Sequence, residues 1–296
     1  MADRLVEYLK SRNIKFVENY TLSRISSIKI GGTARLFAEP ECTKDFVELV
    51  GFLEREGDIY KVVGRLTNTL FASDYNGLVI STSRLTDMNS ENDRFTFGCG
   101  TSLAAALAYA ARSLYGGAEQ LRLIPGSIGG AVFGNAGAHG LEIADIFESA
   151  RIYIPKHNQI IEASRKDMSF GYRYSCLKST AGYITDVTLK LLPTSSEQIS
   201  INLKDYILRR RLSQPNLPSL GSIFKRADGV SAGYYIDRAG LKGVAHGGAV
   251  ISSKHAGFIV NTGNASIDDV IWLIKLAKSR VYELFGVVLE EEIQIF

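Results

Sequence analysis

The sequence predicts an α+β protein in which strands and helices are intermixed along the chain. Three stretches support this prediction: residues 34–63 have the pattern strand, helix, strand; residues 150–191 hold three strand-like apolar segments; and residues 267–285 have the periodicity of a long helix. At 296 residues the chain has room for two or three lobes, with about 150 residues per domain as a prior.

The composition narrows the possible classes of protein. Hydrophobic residues at 46% and charged residues at 22% are ordinary for a soluble globular chain. The 34 basic and 31 acidic residues nearly cancel, and the one basic run, at 209–211, is short, so no nucleic-acid partner is expected. Three widely spaced cysteines and four histidines indicate neither a disulfide framework nor a metal site.

Location is predicted from two segments. The N-terminal residues carry charges where a secretory peptide needs an apolar core. The uncharged window at 123–141 is interrupted by glycines, Pro125 and Asn135, which argues against a transmembrane helix. We therefore expect a cytoplasmic protein without a membrane partner.

Periodicity and cap signals predict the remaining elements. The predicted helices are 2–11, one capped by Thr43 and ending at Gly57, 102–115, about 202–212, and 267–285 with Ser266 and Asp269 as a capping box and Gly286 at C′. The predicted strands are 27–30, 34–37, 59–63, 78–80, 95–97, 150–154, 159–162, 183–191 and a closing strand at 287–296. The polar run beginning at Pro193 is the predicted domain junction.

Glycine is concentrated in the stretch from Leu123 to Glu142. Six glycines lie in this window, and between Leu123 and Leu141 there is no charged residue apart from the titratable His139. Glycine is used where the backbone takes a positive φ or approaches something closely. The density indicates either backbone N–H groups converging on an anion such as phosphate, or a run of tight turns.

A second candidate loop follows the predicted strand 59–63. Its sequence is Gly64-Arg65-Leu66-Thr67-Asn68-Thr69, in which the threonines and Asn68 are able to add side-chain hydrogen bonds. A plain turn is the alternative interpretation. Together the two loops suit the two phosphates of a dinucleotide, although neither contains a Walker or Gly-x-Gly-x-x-Gly signature.

Eight short motifs occur in order along the chain. They are Gly-x-x-Thr-Asn at 64–68, Ile-Pro-Gly-Ser-Ile-Gly-Gly-Ala at 124–131, Asn-Ala-Gly-Ala at 135–138, Gly-Tyr-Arg-Tyr-Ser at 171–175, Gly-Ser-Ile-Phe-Lys at 221–225, Ala-Gly-Leu-Lys-Gly at 239–243, Lys-His-Ala-Gly-Phe-Ile-Val-Asn at 254–261 and Leu-Glu-Glu-Glu-Ile at 289–293. In this order and spacing the chain resembles the UDP-N-acetylenolpyruvoylglucosamine reductase family. The resemblance runs from about residue 27 to residue 296.

The resemblance implies a fold and a division into domains. The implied fold is the FAD-binding fold of the vanillyl-alcohol-oxidase (PCMH) type in two subdomains, followed by a C-terminal α+β substrate lobe. The corresponding segments are 1–26 as N-terminal helix and lead-in, 27–193 as FAD-binding domain with subdomains of about 27–82 and 83–193, and 194–296 as substrate-binding domain. The short linker at 175–177 resembles the family's second type, which lacks an extra tyrosine-bearing loop.

The resemblance also implies bound FAD, with NADPH as reductant. Residues 65–67 contain no histidine, so the FAD is expected to be non-covalent. The implied cofactor-binding residues are Gly64, Arg65, Thr67, Asn68, Thr69, Gly100, Pro125, Gly126, Ser127, Gly129, Gly130, Asn135 and Gly137.

Three residues match the family's catalytic positions. Hydride addition from flavin N5 to an enolpyruvyl ether builds negative charge beside the substrate carboxylate, which a cation at that oxygen stabilises. Arg173 matches the arginine of this role, Ser222 the proton donor and Glu292 the C-terminal glutamate. The alternatives are a surface arginine, a serine ending a loop, and a glutamate facing solvent within a run of three.

Basic residues are expected to bind the diphosphate of the UDP-sugar substrate. The candidates for substrate binding are Tyr172, Arg211, Lys225, Arg226 and Lys254. Their ranking stays open at this point.

Three positions depart from the family pattern. Leu66 stands where the first FAD loop normally has glycine, which restricts φ there and leaves Arg65 to compensate by contacting phosphate. Arg226 and Gly257 each replace an asparagine of the family. None of the three is a predicted catalytic residue.

The implied activity is reduction of UDP-N-acetylglucosamine enolpyruvate to UDP-N-acetylmuramate in peptidoglycan precursor synthesis. We expect a monomer or weak oligomer. Two alternatives remain: another FAD oxidoreductase of this fold acting on an alcohol or lactone, and a flavin-free nucleotide-sugar-binding module.

Overall fold

The computed structural model describes residues 2–296, whose helices and strands alternate along the chain. The α-helices are α1 (Ala2–Ser11), α2 (Thr43–Glu56), α3 (Leu103–Arg112), α4 (Ile128–Phe133), α5 (Ile143–Ile146), α6 (Ser196–Ser213), α7 (Ala232–Arg238) and α8 (Ile267–Phe285). Short 3₁₀ helices cover Leu22–Arg24, Leu121–Leu123, Pro155–His157 and Cys176–Lys178.

The strands are mostly short. They are β1 (Phe16–Thr21), β2 (Thr33–Ala38), β3 (Tyr60–Val63), β4 (Thr69–Leu70), β5 (Tyr75–Ser81), β6 (Met88–Glu91), β7 (Arg94–Gly98), β8 (Tyr115–Gly116), β9 (Gly137–Ala138), β10 (Leu141–Glu142), β11 (Phe147–Ile154), β12 (Gln159–Ser164), β13 (Tyr183–Lys190), β14 (Leu192–Pro193), β15 (Ser219–Ser222), β16 (Ala245–His246), β17 (Ala249–Ile251), β18 (Phe258–Asn261) and β19 (Gln294–Ile295).

The chain forms two compact units, each built from separated segments. The first unit consists of Met1–Tyr20, Ala34–Arg65 and Asn76–Ile207. The second unit consists of Thr21–Thr33, Leu66–Tyr75 and Leu208–Phe296. The division into domains at residues 26 and 193 stays a prediction, whereas the boundary between the compact units falls inside α6.

Two sheets organise the first unit. One has the order β1-β2-β5-β3, with β3 and β5 parallel, and the other is a five-stranded antiparallel sheet in the order β12-β11-β13-β7-β6. Helices α2 and α3 contribute buried apolar faces to the same hydrophobic core. This mixture of helix with parallel and antiparallel sheet confirms the predicted α+β class.

The second unit is an antiparallel sheet with its own core. The strand order is β15-β18-β17-β16, and α8 contributes Val270, Leu273, Ile274 and Val281 to the core. The predicted capping box of α8 is present, since Ser266 and Asp269 each bond the other's backbone N–H. Gly286 ends the helix in the left-handed conformation, as predicted.

Several predicted elements differ from the structure. Residues 27–30 are turns rather than a strand, because Lys29 adopts a φ of 62° while Ile28 and Ile30 enter the core of the second unit. The N-cap of α2 is Cys42, not Thr43. Helix α6 begins at Ser196 instead of near residue 202.

The predicted closing strand at 287–296 was too long. Only Gln294–Ile295 forms a strand, which pairs in parallel with Thr69–Leu70. The residues before it form individual backbone hydrogen bonds and side-chain ion pairs instead of a strand ladder. The alternation of side chains along the sequence therefore did not predict their structure. None of the helices formed by residues 2–296 has the length and apolar composition that crossing a bilayer requires.

Candidate functional site

The two glycine loops that the sequence singled out meet within the first unit. Gly64 directly follows β3, and Ser127 caps α4 by accepting a hydrogen bond of 3.2 Å from the Gly130 N–H. A Cβ atom built on Gly64 would lie 2.6 Å from the Ser127 Oγ. Because no side chain fits between them, glycine at position 64 lets the loops approach each other.

A third loop, at residues 98–102, lies beside them. The N–H of Leu103 donates to the Gly126 carbonyl at 3.0 Å, and the N–H of Ile128 donates to the Thr101 carbonyl at 2.8 Å. The Arg65 side chain joins this loop to the first one, because its Nη2 and Nε lie 3.1 and 3.3 Å from the Gly100 carbonyl oxygen. Three loops thus converge on one region.

Two of the predicted cofactor glycines are required by packing between these loops. A Cβ on Gly100 would lie 1.8 Å from the Thr82 carbonyl oxygen, and one on Gly129 would lie 2.8 Å from the Cys99 Cβ. Burial raises the pKa of the Cys99 thiol to about 12. Cys99 is therefore an unreactive packing residue.

The converging loops offer backbone donors for an anion. The N–H groups of Gly64, Arg65, Gly126 and Ser127 have no hydrogen-bond acceptor among residues 2–296. Gly126 takes a φ of 130°, which glycine adopts without steric penalty. Adjacent N–H groups without protein acceptors are the donor set that phosphate oxygens use, so these residues fit the pyrophosphate of a dinucleotide.

Asn135 has a structural task in the glycine-rich stretch. Its side chain is buried, its Nδ2 donates to Glu142 at 2.7 Å and to the Gly171 carbonyl at 2.9 Å, and its Oδ1 accepts from the Ala144 N–H at 3.0 Å. Both amide hydrogens are occupied by protein acceptors. Asn135 therefore fixes the turn that begins at Gly171 and has no hydrogen left for a ligand.

Arg173 lies in that turn. Gly171 and Tyr174 exchange backbone hydrogen bonds of 3.1 and 3.0 Å, and Arg173 takes a φ of 54°, which is uncommon for a non-glycine residue. The guanidinium lies 5.1 Å from the centre of the Tyr172 ring, and Nη2 is 3.3 Å from the Gly137 carbonyl oxygen. These contacts hold a half-buried cation beside the glycine-rich stretch, within the first unit.

Ser222 and Glu292 are connected in the second unit through one residue, Ile223. The N–H of Ile223 donates to the Gly257 carbonyl at 2.9 Å, and the Ile223 carbonyl accepts from the Glu292 N–H at 2.8 Å. Ser222 is half-buried at the end of β15, opposite Phe258. Its hydroxyl has no hydrogen-bond partner within residues 2–296, so it is available to a ligand.

The three consecutive glutamates have different partners. Glu290 pairs with Lys225 at 3.1 Å near the surface, and Glu291 pairs with Lys278 of α8 at 2.8 Å. At Glu292 the backbone carbonyl accepts a hydrogen bond of 3.1 Å from the Asn68 Nδ2. Glu290 and Glu291 thus each form an ion pair with a different lysine.

The predicted loop 64–69 is divided between the units. Leu66, buried in the second unit, takes a φ of 46° at the position where glycine was expected, and its carbonyl accepts the Ser27 N–H at 3.1 Å. Leucine therefore adopts the left-handed conformation here despite its Cβ. Thr69 begins β4 opposite Gln294.

Two candidate substrate-binding cations have protein partners in the second unit. Lys225 pairs with Glu290, and the Nζ of Lys254 donates to the Arg211 carbonyl oxygen. Arg226 is exposed. Their roles in substrate binding stay predictions.

The sequence, with glycine and alanine near His255, indicates a structural or hydrogen-bonding role for this residue and no catalytic one. In the structure its Nδ1 accepts the Gly257 N–H at 3.0 Å, directly beside the strand that pairs with Ser222. An imidazole two residues before a glycine was the available sequence signal. Within residues 2–296, no group of three or more His, Cys, Asp or Glu side chains is arranged to hold a metal ion.

Two protein families match this chain, one in its N-terminal part and one at its C-terminal end. Residues 34–161 match the FAD-binding domain family, and residues 214–296 match the C-terminal domain family of UDP-N-acetylenolpyruvoylglucosamine reductase. The first match contains all four residues whose N–H groups lack protein acceptors. The chain is thus an FAD-binding flavoprotein with the PCMH-type fold that was predicted.

Relatives extend the match to the whole chain. The reductase named UDP-N-acetylenolpyruvoylglucosamine reductase from Caldicellulosiruptor bescii is 40% identical over 97% of this chain and 92% of its own length. The enzyme of the same name from Caldanaerobacter subterraneus subsp. tengcongensis is 36% identical over 100% of this chain and 97% of its own length. The chain belongs to the UDP-N-acetylenolpyruvoylglucosamine reductase family.

A solved structure of the family has the same fold. The crystal structure of UDP-N-acetylenolpyruvylglucosamine reductase from Thermus caldophilus superposes with a TM-score of 0.80 at 30% identity. The match covers 96% of this chain and 98% of that protein. The family resemblance predicted from the eight motifs is therefore confirmed.

Proposed function

We propose that the chain catalyses the NADPH-dependent reduction of UDP-N-acetylglucosamine enolpyruvate to UDP-N-acetylmuramate. The reaction uses non-covalently bound FAD and contributes to peptidoglycan precursor synthesis in the cytoplasm, with the chain acting as a monomer or weak oligomer. The observation that supports this proposal is the 40% identity to a named reductase over 97% of the chain. That span includes the FAD-binding segment and the C-terminal segment.

The first unit supplies the residues that hold FAD. The N–H groups of Gly64, Arg65, Gly126 and Ser127 bind the pyrophosphate oxygens, and the N-terminus of α4 adds to the favourable field. Gly100 and Gly129 act by letting the loops pack closely. When bound and reduced by NADPH, FAD supplies a hydride from its N5 atom.

Arg173 stabilises the negative charge that develops on the substrate carboxylate. A guanidinium presents planar paired donors to a carboxylate, which a lysine does not. The turn at 171–174 and the Tyr172 ring hold it in one position before the substrate arrives, so little reorganisation is needed. Tyr172 is exposed and shares this turn, which supports its candidacy as a substrate contact.

Ser222 donates a proton to the alkene carbon next to the one that receives the hydride. A serine hydroxyl is a weak acid in water, so it acts only when positioned against its target. The role is supported by the half-buried Ser222 hydroxyl, which has no hydrogen-bond partner within residues 2–296 and is therefore able to donate to a substrate bound beside it. Glu292, whose backbone N–H bonds the carbonyl of Ile223, the residue after Ser222, organises the enolate or relays the proton.

The UDP diphosphate requires cations, for which Arg211, Lys225, Arg226 and Lys254 remain the candidates. Lys225 and Lys254 each already contact one protein acceptor, so substrate binding at these residues competes with those contacts. Arg226 is the exposed member that stands next to Lys225 in sequence. Its guanidinium is suited to bidentate phosphate contacts.

The proposal is tested by anaerobic absorbance spectroscopy of the purified protein. We expect a flavin spectrum that NADPH bleaches and that the enolpyruvyl UDP-sugar restores. Reoxidation by oxygen together with no response to the UDP-sugar, but with turnover of an alcohol or lactone, would instead indicate a different oxidoreductase. A colourless protein that binds the UDP-sugar would indicate a binding module.

The proton donor is tested separately. Ser222→Ala is expected to slow substrate-dependent flavin reoxidation by about 10²–10⁴-fold, the usual contribution of general acid catalysis, while NADPH still bleaches the flavin. Ser222→Cys retains an acidic hydrogen and is expected to recover part of the loss. Full turnover by Ser222→Ala would remove Ser222 from the mechanism.

A further inference from the structure

His255 occupies a slot formed by two glycines in the second unit. A Cβ on Gly233 would lie 3.1 Å from the His255 Cε1, and a Cβ on Gly257 would lie 2.9 Å from the same atom. The Phe258 ring closes the slot at a centroid distance of 4.9 Å. Since side chains at positions 233 and 257 would crowd the ring, the two glycines leave the space that the imidazole fills.

The ring accepts a hydrogen bond rather than donating one at Nδ1. The Gly257 N–H points at the His255 Nδ1 over 3.0 Å, which requires that nitrogen to be unprotonated. The neutral ring therefore carries its proton on Nε2. Burial lowers the pKa of His255 and outweighs a backbone hydrogen bond of His255 that raises it, and the positive charge of Lys242 lowers the pKa further, so the neutral form is favoured.

Gly257, the donor of this hydrogen bond, is also next to Ser222. Gly257, held by His255, accepts the Ile223 N–H at 2.9 Å through its carbonyl, and Ile223 in turn accepts the Glu292 N–H. A Cβ on Gly257 would also lie 3.3 Å from the Ser222 Oγ. The Gly257 Cα thus lies next to both the imidazole and the hydroxyl.

We propose that His255 is a positioning residue for Ser222: as a neutral imidazole it fixes the turn at 255–257, whose Gly257 carbonyl holds the backbone that presents the Ser222 hydroxyl. This role rests on the proposed function, because it acts on the proposed proton donor. His255 itself transfers no proton to the substrate. Displacing a reacting group by about 1 Å is enough to slow a reaction about 10²-fold.

Two substitutions separate the hydrogen bond from the ring. His255→Phe keeps an aromatic ring in the slot and removes the hydrogen-bond acceptor. His255→Asn removes the ring and keeps an acceptor, its Oδ1, for the Gly257 N–H. His246→Phe is the control, because His246 stacks on Trp272 at the start of α8 and does not contact this turn. All variants are measured as FAD-loaded enzyme.

The expected kinetic result is a loss confined to the step that uses Ser222. His255→Phe slows substrate-dependent flavin reoxidation by about 10²-fold, with KM for the UDP-sugar and NADPH-dependent bleaching unchanged. His255→Asn recovers most of this loss, and His246→Phe behaves like the parent. In the Ser222→Ala background, His255→Phe adds no further loss, because the two residues act as one unit.

The proposal is overturned if His255→Phe and His255→Asn are equally impaired, or if His255→Phe and Ser222→Ala are additive. A nitrogen NMR spectrum showing the Nδ1–H tautomer would overturn it as well. This spectrum, with hydrogen exchange of the Gly257 amide, needs no turnover. If Ser222→Ala turns over fully, Ser222 is not the proton donor, and this part of the proposed function is wrong. His255 then has no catalytic group to position, even when the NMR spectrum confirms its hydrogen bond.

Discussion

Gly64 and Ser127 lie in contact across two loops that are 63 positions apart in sequence (127 − 64), and a Cβ on Gly64 would be 2.6 Å from the Ser127 Oγ. We expect Gly64→Ala to push the loops apart and weaken FAD binding. Overpacking of this kind costs about 1–3 kcal/mol, so the FAD dissociation constant should rise about 5- to 150-fold. Flavin fluorescence titration of the apoprotein measures the change.

The double variant Gly64→Ala with Ser127→Ala provides the sharper comparison. Once Oγ is removed, the nearest remaining contact of the new methyl group is the Ser127 Cβ at 3.7 Å, which is an ordinary distance. FAD affinity should therefore recover in part relative to Gly64→Ala. Gly134→Ala is the matched control, since its Cβ would meet only the Gly130 carbonyl oxygen at 3.6 Å. Equal affinity of parent and Gly64→Ala would contradict the assignment.

Arg65 joins the loop that follows β3 to the loop at residues 98–102 through the Gly100 carbonyl. Arg65→Ala should raise the FAD dissociation constant, because the loop carrying the free N–H groups loses its side-chain tie. Arg65→Lys should recover little of the affinity, since two guanidinium nitrogens share the carbonyl. The exposed Arg112 on α3 is the control position. An unchanged FAD affinity in Arg65→Ala would show that the tie is dispensable.

Arg173 is expected to act on the substrate and not on cofactor binding. Arg173→Lys should reduce kcat by about 10²–10³-fold, the usual effect of losing one preorganised donor to a developing oxyanion. FAD content and the rate of bleaching by NADPH should remain those of the parent. Stopped-flow absorbance separates the two half-reactions. Arg165→Lys, at an exposed arginine that pairs with Asp145, is the control.

Neighbouring glutamates should give opposite results. Glu292→Gln is expected to lower turnover, because Glu292 is the proposed residue that organises the enolate or relays the proton. Glu291→Gln should leave turnover intact and lower the free energy of unfolding by about 0.2–1 kcal/mol, because it breaks a partly exposed ion pair with Lys278. Denaturant titration and steady-state kinetics on both variants check this. Loss of activity in Glu291→Gln alone would mean that the register was misassigned.

Asp269 should make folding stability depend on pH. Its pKa falls from the ordinary 3.8 to about 2, mainly because it accepts backbone N–H bonds from Ser266 and Gly248. A depressed folded-state pKa gives stability that is present above pH 3.8 and is lost as the pH falls toward 2. Asp269→Asn should remove this contribution to the pH dependence, as measured by urea unfolding. Asp268→Asn, next to it in α8, is the control.

Several features of the site were predictable because they depend on short, local sequence patterns. The glycine density at 123–142 predicted a backbone-lined loop, and the capping box with Gly286 predicted both ends of α8. Motif order predicted the family. These features depend on residues close in sequence, whose φ preferences and hydrogen bonds are set locally.

Other parts of the site were not predictable from such signals. The sequence predicted Asn135 as a cofactor contact, and it did not predict that the side-chain amide bonds Glu142 and the Gly171 carbonyl. Glu290 and Glu291 pair with lysines on distant segments, which alternation along the chain does not predict. Residues 27–30 resembled a strand, yet Asn261 donates to the Ile28 carbonyl and fixes them as turns in the core of the second unit.

The sequence by itself determined the family, the glycine loops and the residue types that the chemistry requires. Only the tertiary structure decided which glycines are needed for packing, which N–H groups are left for an anion, and that His255 lies beside the strand that pairs with Ser222. The physical reason is that a backbone N–H group is available to a ligand only when no other part of the protein accepts its hydrogen bond. That condition depends on contacts between distant segments, which no local pattern records.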